Sequence, residues 1–153
     1  MIRKAKISEA PIIKEFINKF AADGLLLPLS LQEIYEHLRD YFVYIDNATI
    51  CGVCALNIIW DDLAEIRSLA VLENYQNRQI GRQLVDKCLT EASLLEINSV
   101  FCLTYKKEFF IKLGFHIIEK SKLPHKVWST CYKCPKFPDC NEIALIIYND
   151  KNK

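Results

Sequence analysis

The residues best suited to chemistry form one run: Leu69-Ala70-Val71-Leu72-Glu73-Asn74-Tyr75-Gln76-Asn77-Arg78-Gln79-Ile80-Gly81-Arg82-Gln83-Leu84. It reads as a strand, a polar turn and the start of a helix. The first N–H groups of a helix have no intrahelical partner and carry the positive end of its dipole. A pyrophosphate placed there is held by backbone donors. Gly81 removes a side chain where the phosphate must come close, and Arg78 and Arg82 add charge-assisted contacts. With a single glycine, the turn matches neither a Walker loop nor a dinucleotide fingerprint.

Cysteines are the second reactive group. The chain has seven, an odd number that does not suit a secreted disulfide framework. Cys51 and Cys54 form a C-x-x-C inside an apolar run that reads as a strand. Three apart on a strand, they point to opposite faces and cannot share a metal, so both are expected to be core residues. The run Cys131-Tyr132-Lys133-Cys134-Pro135-Lys136-Phe137-Pro138-Asp139-Cys140 differs. Cys131, Cys134 and Cys140 are three soft ligands and His125 could be a fourth, which would let a structural zinc staple the loop. No second C-x-x-C closes the set, so thiols packed beside Phe137 and the prolines are the favoured reading, and no metal ligand is assigned.

The elements that must position these groups follow from periodicity. Residues 2–7 alternate as a half-buried strand. Ser8 is placed to cap a helix with apolar positions Ile12, Ile13, Phe16, Ile17 and Phe20, ended by Asp23-Gly24. Ser30-Leu31-Gln32-Glu33 is a capping box opening a helix to about Arg39. Residues 41–45 and 50–59 read as a hairpin, and a fourth strand runs over 64–71. From Gly81, the positions Leu84, Val85, Cys88, Leu89, Ala92 and Leu95 draw one face of a long helix. A strand at 99–103, a short helix at 108–113 stopped by Gly114, a strand at 115–118, the cysteine-rich loop 122–141 and a last strand at 142–148 complete the order. The prediction is an α/β (α+β) fold over residues 1–153 as one domain. Its single mixed, mostly antiparallel sheet has six to seven strands flanked by helices.

Composition narrows the partners. Lys and Arg total 20 against 19 Asp and Glu, so no net field recruits nucleic acid or a membrane. No stretch approaches the roughly 20 apolar residues of a membrane span, and the first residues lack the apolar centre of a signal peptide. A cytoplasmic protein with reduced thiols is expected.

Three segments together resemble the GNAT acyltransferases. Their acetyl-CoA loop has the pattern Q/R-x-x-G-x-G/A. Here it stands as Gln76-Asn77-Arg78-Gln79-Ile80-Gly81, with Gln79 in place of the first glycine. Glu65-Ile66-Arg67-Ser68-Leu69-Ala70-Val71 resembles the family's fourth strand, and Phe109-Phe110-Ile111-Lys112-Leu113-Gly114-Phe115 its closing helix and Gly-Phe signature. The resemblance implies acetyl-CoA as donor. It sets Leu69, Ala70 and Val71 against the pantetheine arm and thioester, and Gln76, Asn77, Arg78, Gln79, Ile80, Gly81 and Arg82 around the pyrophosphate.

Finer features resemble the acetyltransferase domain of N-acetylglutamate synthases in their short forms. These are residues 24–30, Arg39-Asp40-Tyr41-Phe42-Val43, Glu65 and Leu123-Pro124. The implied reaction is transfer of acetyl to the α-amine of glutamate, the first step towards arginine. The position before Ser30, often basic in that branch, is Leu29, so Arg67, Lys126 and Lys133 are the candidate cations for a substrate carboxylate. Glu65 is the candidate general base, directly or through a water. Many family members use a Tyr as acid where this chain has Phe110, and Tyr105 is the nearest substitute. A coenzyme A thiolate stabilised by backbone donors is the alternative. Other readings stay open: a catalytically silent acetyl-CoA-binding or regulatory module, an acetyltransferase for a different amine or a peptide N-terminus, or an interaction domain built around the cysteine loop. Monomer and homodimer are both compatible with the sequence.

Overall fold

A computed structural model of the chain describes residues 1–24, 26, 28–124 and 142–149. Strand β1 (Ile2–Lys4) leads through a 3₁₀ turn (Ile7–Glu9) into helix α1 (Ala10–Ala22). The strand is shorter and the helix starts later than the alternation suggested, because Glu9 ties this corner together. Its carboxylate accepts from both terminal nitrogens of Arg3, at 2.8 and 2.6 Å, and from the Lys6 N–H at 2.7 Å. Arg3 thereby holds the Glu9 carboxyl below the usual carboxylate range. Helix α1 buries Ile13, Phe16 and Ile17, with Phe20 packed against the same cluster. Those positions already form a complete i, i+3, i+4, i+7 stripe, so Ile12 falls off its edge and is 51% exposed.

The predicted capping box opens α2 (Leu31–Glu36): the Ser30 hydroxyl accepts from the Glu33 N–H and the Glu33 carboxylate from the Ser30 N–H, both at 3.1 Å. Helix α2 ends three residues early, in a 3₁₀ turn at Leu38–Asp40. Strands β2 (Tyr41–Asp46) and β3 (Thr49–Trp60) then form the expected hairpin. Its two turn residues, Asn47 and Ala48, have φ of 49° and 62°, the left-handed pair that matches strand twist in a two-residue connection. Strand β4 (Leu63–Val71), a 3₁₀ turn (Glu73–Tyr75), helix α3 (Ile80–Leu94), strand β5 (Ser99–Thr104), helix α4 (Lys107–Lys112), β6 (His116–Ile117) and β7 (Ile143–Tyr148) follow. Leu95, expected on the core face of α3, lies just past its end and is exposed.

The seven strands make one sheet in the order β1-β2-β3-β4-β5-β7-β6. β4 pairs with β5 in parallel, through Leu63–Glu65 against Ser99–Phe101, whereas β1–β2, β2–β3, β5–β7 and β6–β7 are antiparallel. Two compact units divide the chain, one of Met1–Asn57 with Ile66–Glu91, the other of Ile58–Glu65 with Ala92 onward. In the first, α1 and α2 pack on Tyr41, Val43, Val53, Ala55 and Ala70. Cys54 Sγ lies 3.6 Å from Cys88 Sγ on α3, and Cys51, Cys54, Cys88 and Cys102 are all buried free thiols.

The second unit has its own core around Phe101, Leu123, Ala144 and Ile146. There α4 ends as a Schellman motif. Gly114 takes φ 101°, its N–H bonds the Ile111 carbonyl at 3.0 Å, and the Phe115 N–H bonds that of Phe110 at 3.1 Å. The rings of Phe110 and Phe115, 5.2 Å apart, supply the accompanying apolar contact.

Candidate active site

In the first unit the site grows out of β4. Its backbone is extended except at Ser68, which has φ 56°. A left-handed non-glycine residue inside a strand is costly, and such positions cluster at functional sites. Tyr41 supports it: this buried side chain hydrogen-bonds Ser68, with the Arg67 and Asp40 charges nearby, and burial raises its pKa to about 12. Asp40 is itself held by the Asn57 amide at 3.1 Å.

Beyond Val71 the chain reverses through the polar turn. The Leu72 N–H donates to the Cys51 carbonyl at 2.8 Å, and Gln76 Nε2 donates to the Val71 carbonyl at 3.0 Å. Gln76 therefore closes the turn with its side chain, where the resemblance had set it among the cofactor contacts. Asn77 and Gln79 both take left-handed φ, 64° and 66°. Gln79 occupies the place of the pattern's first glycine, and the backbone keeps the conformation that a glycine supplies without strain. Gln79→Gly is accordingly expected to stabilise the fold by about 0.5–1 kcal/mol in urea unfolding.

Helix α3 begins at Ile80, and the Gln83 N–H bonds the Gln79 carbonyl at 3.0 Å as its first turn closes. The N–H groups of Ile80, Gly81 and Arg82 thus precede the first intrahelical donor. Ile80 is buried, anchoring the turn, while Gln76, Asn77, Arg78, Gln79 and Arg82 are exposed. What lets this helix end sit low on the sheet is Gly52 of β3. A Cβ there would stand 3.0 Å from Leu84 Cδ1, 3.3 Å from Ile80 Cγ2 and 3.4 Å from the Ala70 carbonyl oxygen. An isolated glycine inside a strand signals close approach, so Gly52 was legible in principle. Exposed backbone donors, a glycine and two guanidiniums suit a phosphate-bearing ligand.

The second unit holds the acid–base candidates. Glu65 is the buried charged residue among the described ones, 6% exposed, inside β4 and not solvated at a strand end. An ionised carboxylate is expensive to bury, so its retention calls for interactions that repay the cost. Cys102 on β5 is also buried; desolvation, then the negative charges of Glu65 and Glu142, push its thiol strongly upward. A thiol held protonated is a poor nucleophile, which favours direct attack by the acceptor over a cysteinyl intermediate. Tyr105 is half-buried just past β5. Phe110 is 4% exposed, edge-on to Phe109 and Phe115 at 5.0 and 5.2 Å, and it packs the end of α4.

Of the residues singled out in the sequence, Arg67, Leu69, Ala70, Val71 and Gln76–Arg82 thus belong to the first unit, and Glu65 and Tyr105 to the second. Lys126, Lys133, His125, Cys131, Cys134 and Cys140 lie outside the described residues, and the zinc idea with them. Among the described residues no group of three potential ligands could hold a metal ion. Ser68, Tyr41 and Gly52 are the supporting positions that the motifs alone did not single out.

The profile of the acetyltransferase (GNAT) domain matches residues 37–117. The chain belongs to the GNAT acetyltransferase family. It is 41% identical to an uncharacterized N-acetyltransferase of Chlorobaculum tepidum over 145 residues, covering 95% of this chain and 94% of that one. An amino-acid acetyltransferase of Mycobacterium tuberculosis is 33% identical over 131 residues, 84% of this chain and 75% of the relative. A crystal structure of a Mycobacterium tuberculosis protein in complex with CoA and a further ligand superposes with TM-score 0.83 at 28% identity, covering 97% and 98% of the two chains. The N-acetylglutamate synthase of Neisseria gonorrhoeae shares the fold, with TM-score 0.89 at 23% identity over 99% of this chain and 35% of that one. This GNAT protein is therefore an N-acetyltransferase with acetyl-CoA as donor. Among the described residues no helix is long and apolar enough to cross a membrane.

Proposed function

We propose that this GNAT enzyme acetylates the α-amine of an amino acid, with glutamate as the leading acceptor. The observation that carries the reading is the buried carboxylate of Glu65 on β4, a base for the ammonium that every α-amino acid presents. Arg67, half-buried, is the candidate cation for the acceptor's carboxylate. The amino-acid acetyltransferase relative of Mycobacterium tuberculosis supports the same class.

In this reading the N–H groups at the start of α3, with Arg78 and Arg82, bind the pyrophosphate of the donor, and Leu69, Ala70 and Val71 align its pantetheine arm. Glu65 accepts a proton from the acceptor ammonium, directly or through a water. The freed amine attacks the thioester carbonyl, the nitrogen of the tetrahedral intermediate loses its extra proton to solvent, and collapse breaks the C–S bond. In this reading Tyr105 gives a proton to the departing thiolate and is reprotonated from solvent, the role that buried Phe110 has no group to fill. Leu29 contributes no charge: both its backbone polar groups are taken by the Asn18 carboxamide, at 3.0 and 3.2 Å.

Arg67→Gln is expected to raise the KM for the acceptor by roughly tenfold or more, the cost of losing a charge-assisted contact, while the KM for acetyl-CoA stays constant. The acceptor itself is tested by thiol release from acetyl-CoA over a panel of amino acids, other amines and peptides. Glutamate should give the highest kcat/KM; no preference for it, or faster turnover with peptide N-termini, would sink the assignment.

A further inference from the structure

Arg78 is exposed and lies at the tip of the turn, between two left-handed residues. A long side chain so placed samples many rotamers, and fixing it on a ligand costs conformational entropy. The structure shows what limits that freedom. The guanidinium carbon of Arg78 sits over the ring of Tyr75, 5.1 Å from its centroid. Tyr75 is itself tied down by the backbone: its N–H bonds the Leu72 carbonyl at 2.8 Å, closing the 3₁₀ turn, and Cys51 and Asp46 of the β2–β3 hairpin raise the pKa of its hydroxyl. The turn itself is closed from the other side by Gln76 on the Val71 carbonyl.

We propose that Tyr75 is a positioning residue for the donor. Its ring is a platform, set by the 3₁₀ turn, that holds the Arg78 guanidinium ready for a phosphate of acetyl-CoA. The proposal rests on the reading that this turn binds the donor's phosphates. It assigns Tyr75 no contact with the acceptor and no part in proton transfer. A guanidinium on a ring keeps its in-plane N–H donors free, so one face is stabilised while the donor edge stays available to phosphate oxygens.

The test is a kinetic cycle on the intact protein with two donors, acetyl-CoA and S-acetylpantetheine, the second lacking every phosphate. Arg78→Gln should raise the KM for acetyl-CoA. Tyr75→Leu should raise it about threefold to fivefold, as expected for an exposed cation–π contact, with kcat unchanged and no effect on S-acetylpantetheine. Tyr75→Phe, which keeps the ring, should recover most of the loss. In the Arg78→Gln background, Tyr75→Leu should add nothing. If the two substitutions multiply, or if Tyr75→Leu impairs both donors alike, Tyr75 does not act through Arg78 and the proposal fails while the phosphate reading stands. If Arg78→Gln leaves the KM for acetyl-CoA unaltered, the phosphate reading of Arg78 fails first and takes the proposal with it.

Discussion

Glu65→Gln is expected to lower kcat by roughly 10²- to 10⁴-fold, the contribution of a positioned general base, while the dissociation constant of coenzyme A stays constant. The substitution preserves shape and removes only the ability to take a proton. The side chain is almost fully buried and engaged within the fold, so turnover is read per folded molecule, well below the unfolding midpoint. A loss of kcat with an unchanged dissociation constant separates a base from a structural carboxylate, whose loss would weaken both. Turnover unaltered in Glu65→Gln would remove Glu65 from the mechanism. Cys102 offers an internal comparison. It is buried on β5 with its thiol pushed upward by desolvation and by the Glu65 charge. Cys102→Ala should cost stability as a core truncation does, while leaving turnover per folded molecule close to that of the parent.

What the sequence revealed depended on how local the cause was. The capping box at Ser30 and Glu33 was legible because its partners are three residues apart. So was the stop at Gly114, where one left-handed residue and the bonds beside it decide the helix end. The shortened β1 was not, since the Arg3–Glu9 pair that turns the chain overrides an alternation which by itself reads as strand. Ile12 misled for a related reason: it borders the core-facing stripe of Ile13, Phe16, Ile17 and Phe20, and only packing decides where such a stripe ends.

Within the site, the start of α3 was read from residue types alone, but the exchange at Gln79 could be weighed only with the backbone in view. The left-handed φ persists without the glycine, so the exchange marks strain and leaves the turn intact. Gln76 shows the opposite: a residue that matches a binding pattern and spends its amide on the Val71 carbonyl. Glu65 was identified as a carboxylate on the right strand. Its burial arises from residues distant in sequence, and no local pattern could report it.

The start of α3 allows a test in which stability and binding should move in opposite directions. Gly81→Asp replaces a helical glycine, a gain of about 0.3 kcal/mol for an aspartate, and sets a carboxylate in the first turn, where the helix dipole favours it by about 0.3–1 kcal/mol. The midpoint of urea unfolding should rise. In the proposed reading, the same carboxylate stands where the pyrophosphate of acetyl-CoA binds. Two unit charges about 4 Å apart at a protein surface repel by up to about 4 kcal/mol, so even a partly screened clash should weaken coenzyme A binding about 100-fold. Arg78 and Arg82 will offset part of the loss at low ionic strength, and the deficit should change with added salt as they are screened. Calorimetric titration of coenzyme A beside a urea melt measures both signs. A variant that is more stable and still binds coenzyme A as the parent does would place the phosphates elsewhere, because the helix start would then have accepted an acid without competing with its ligand.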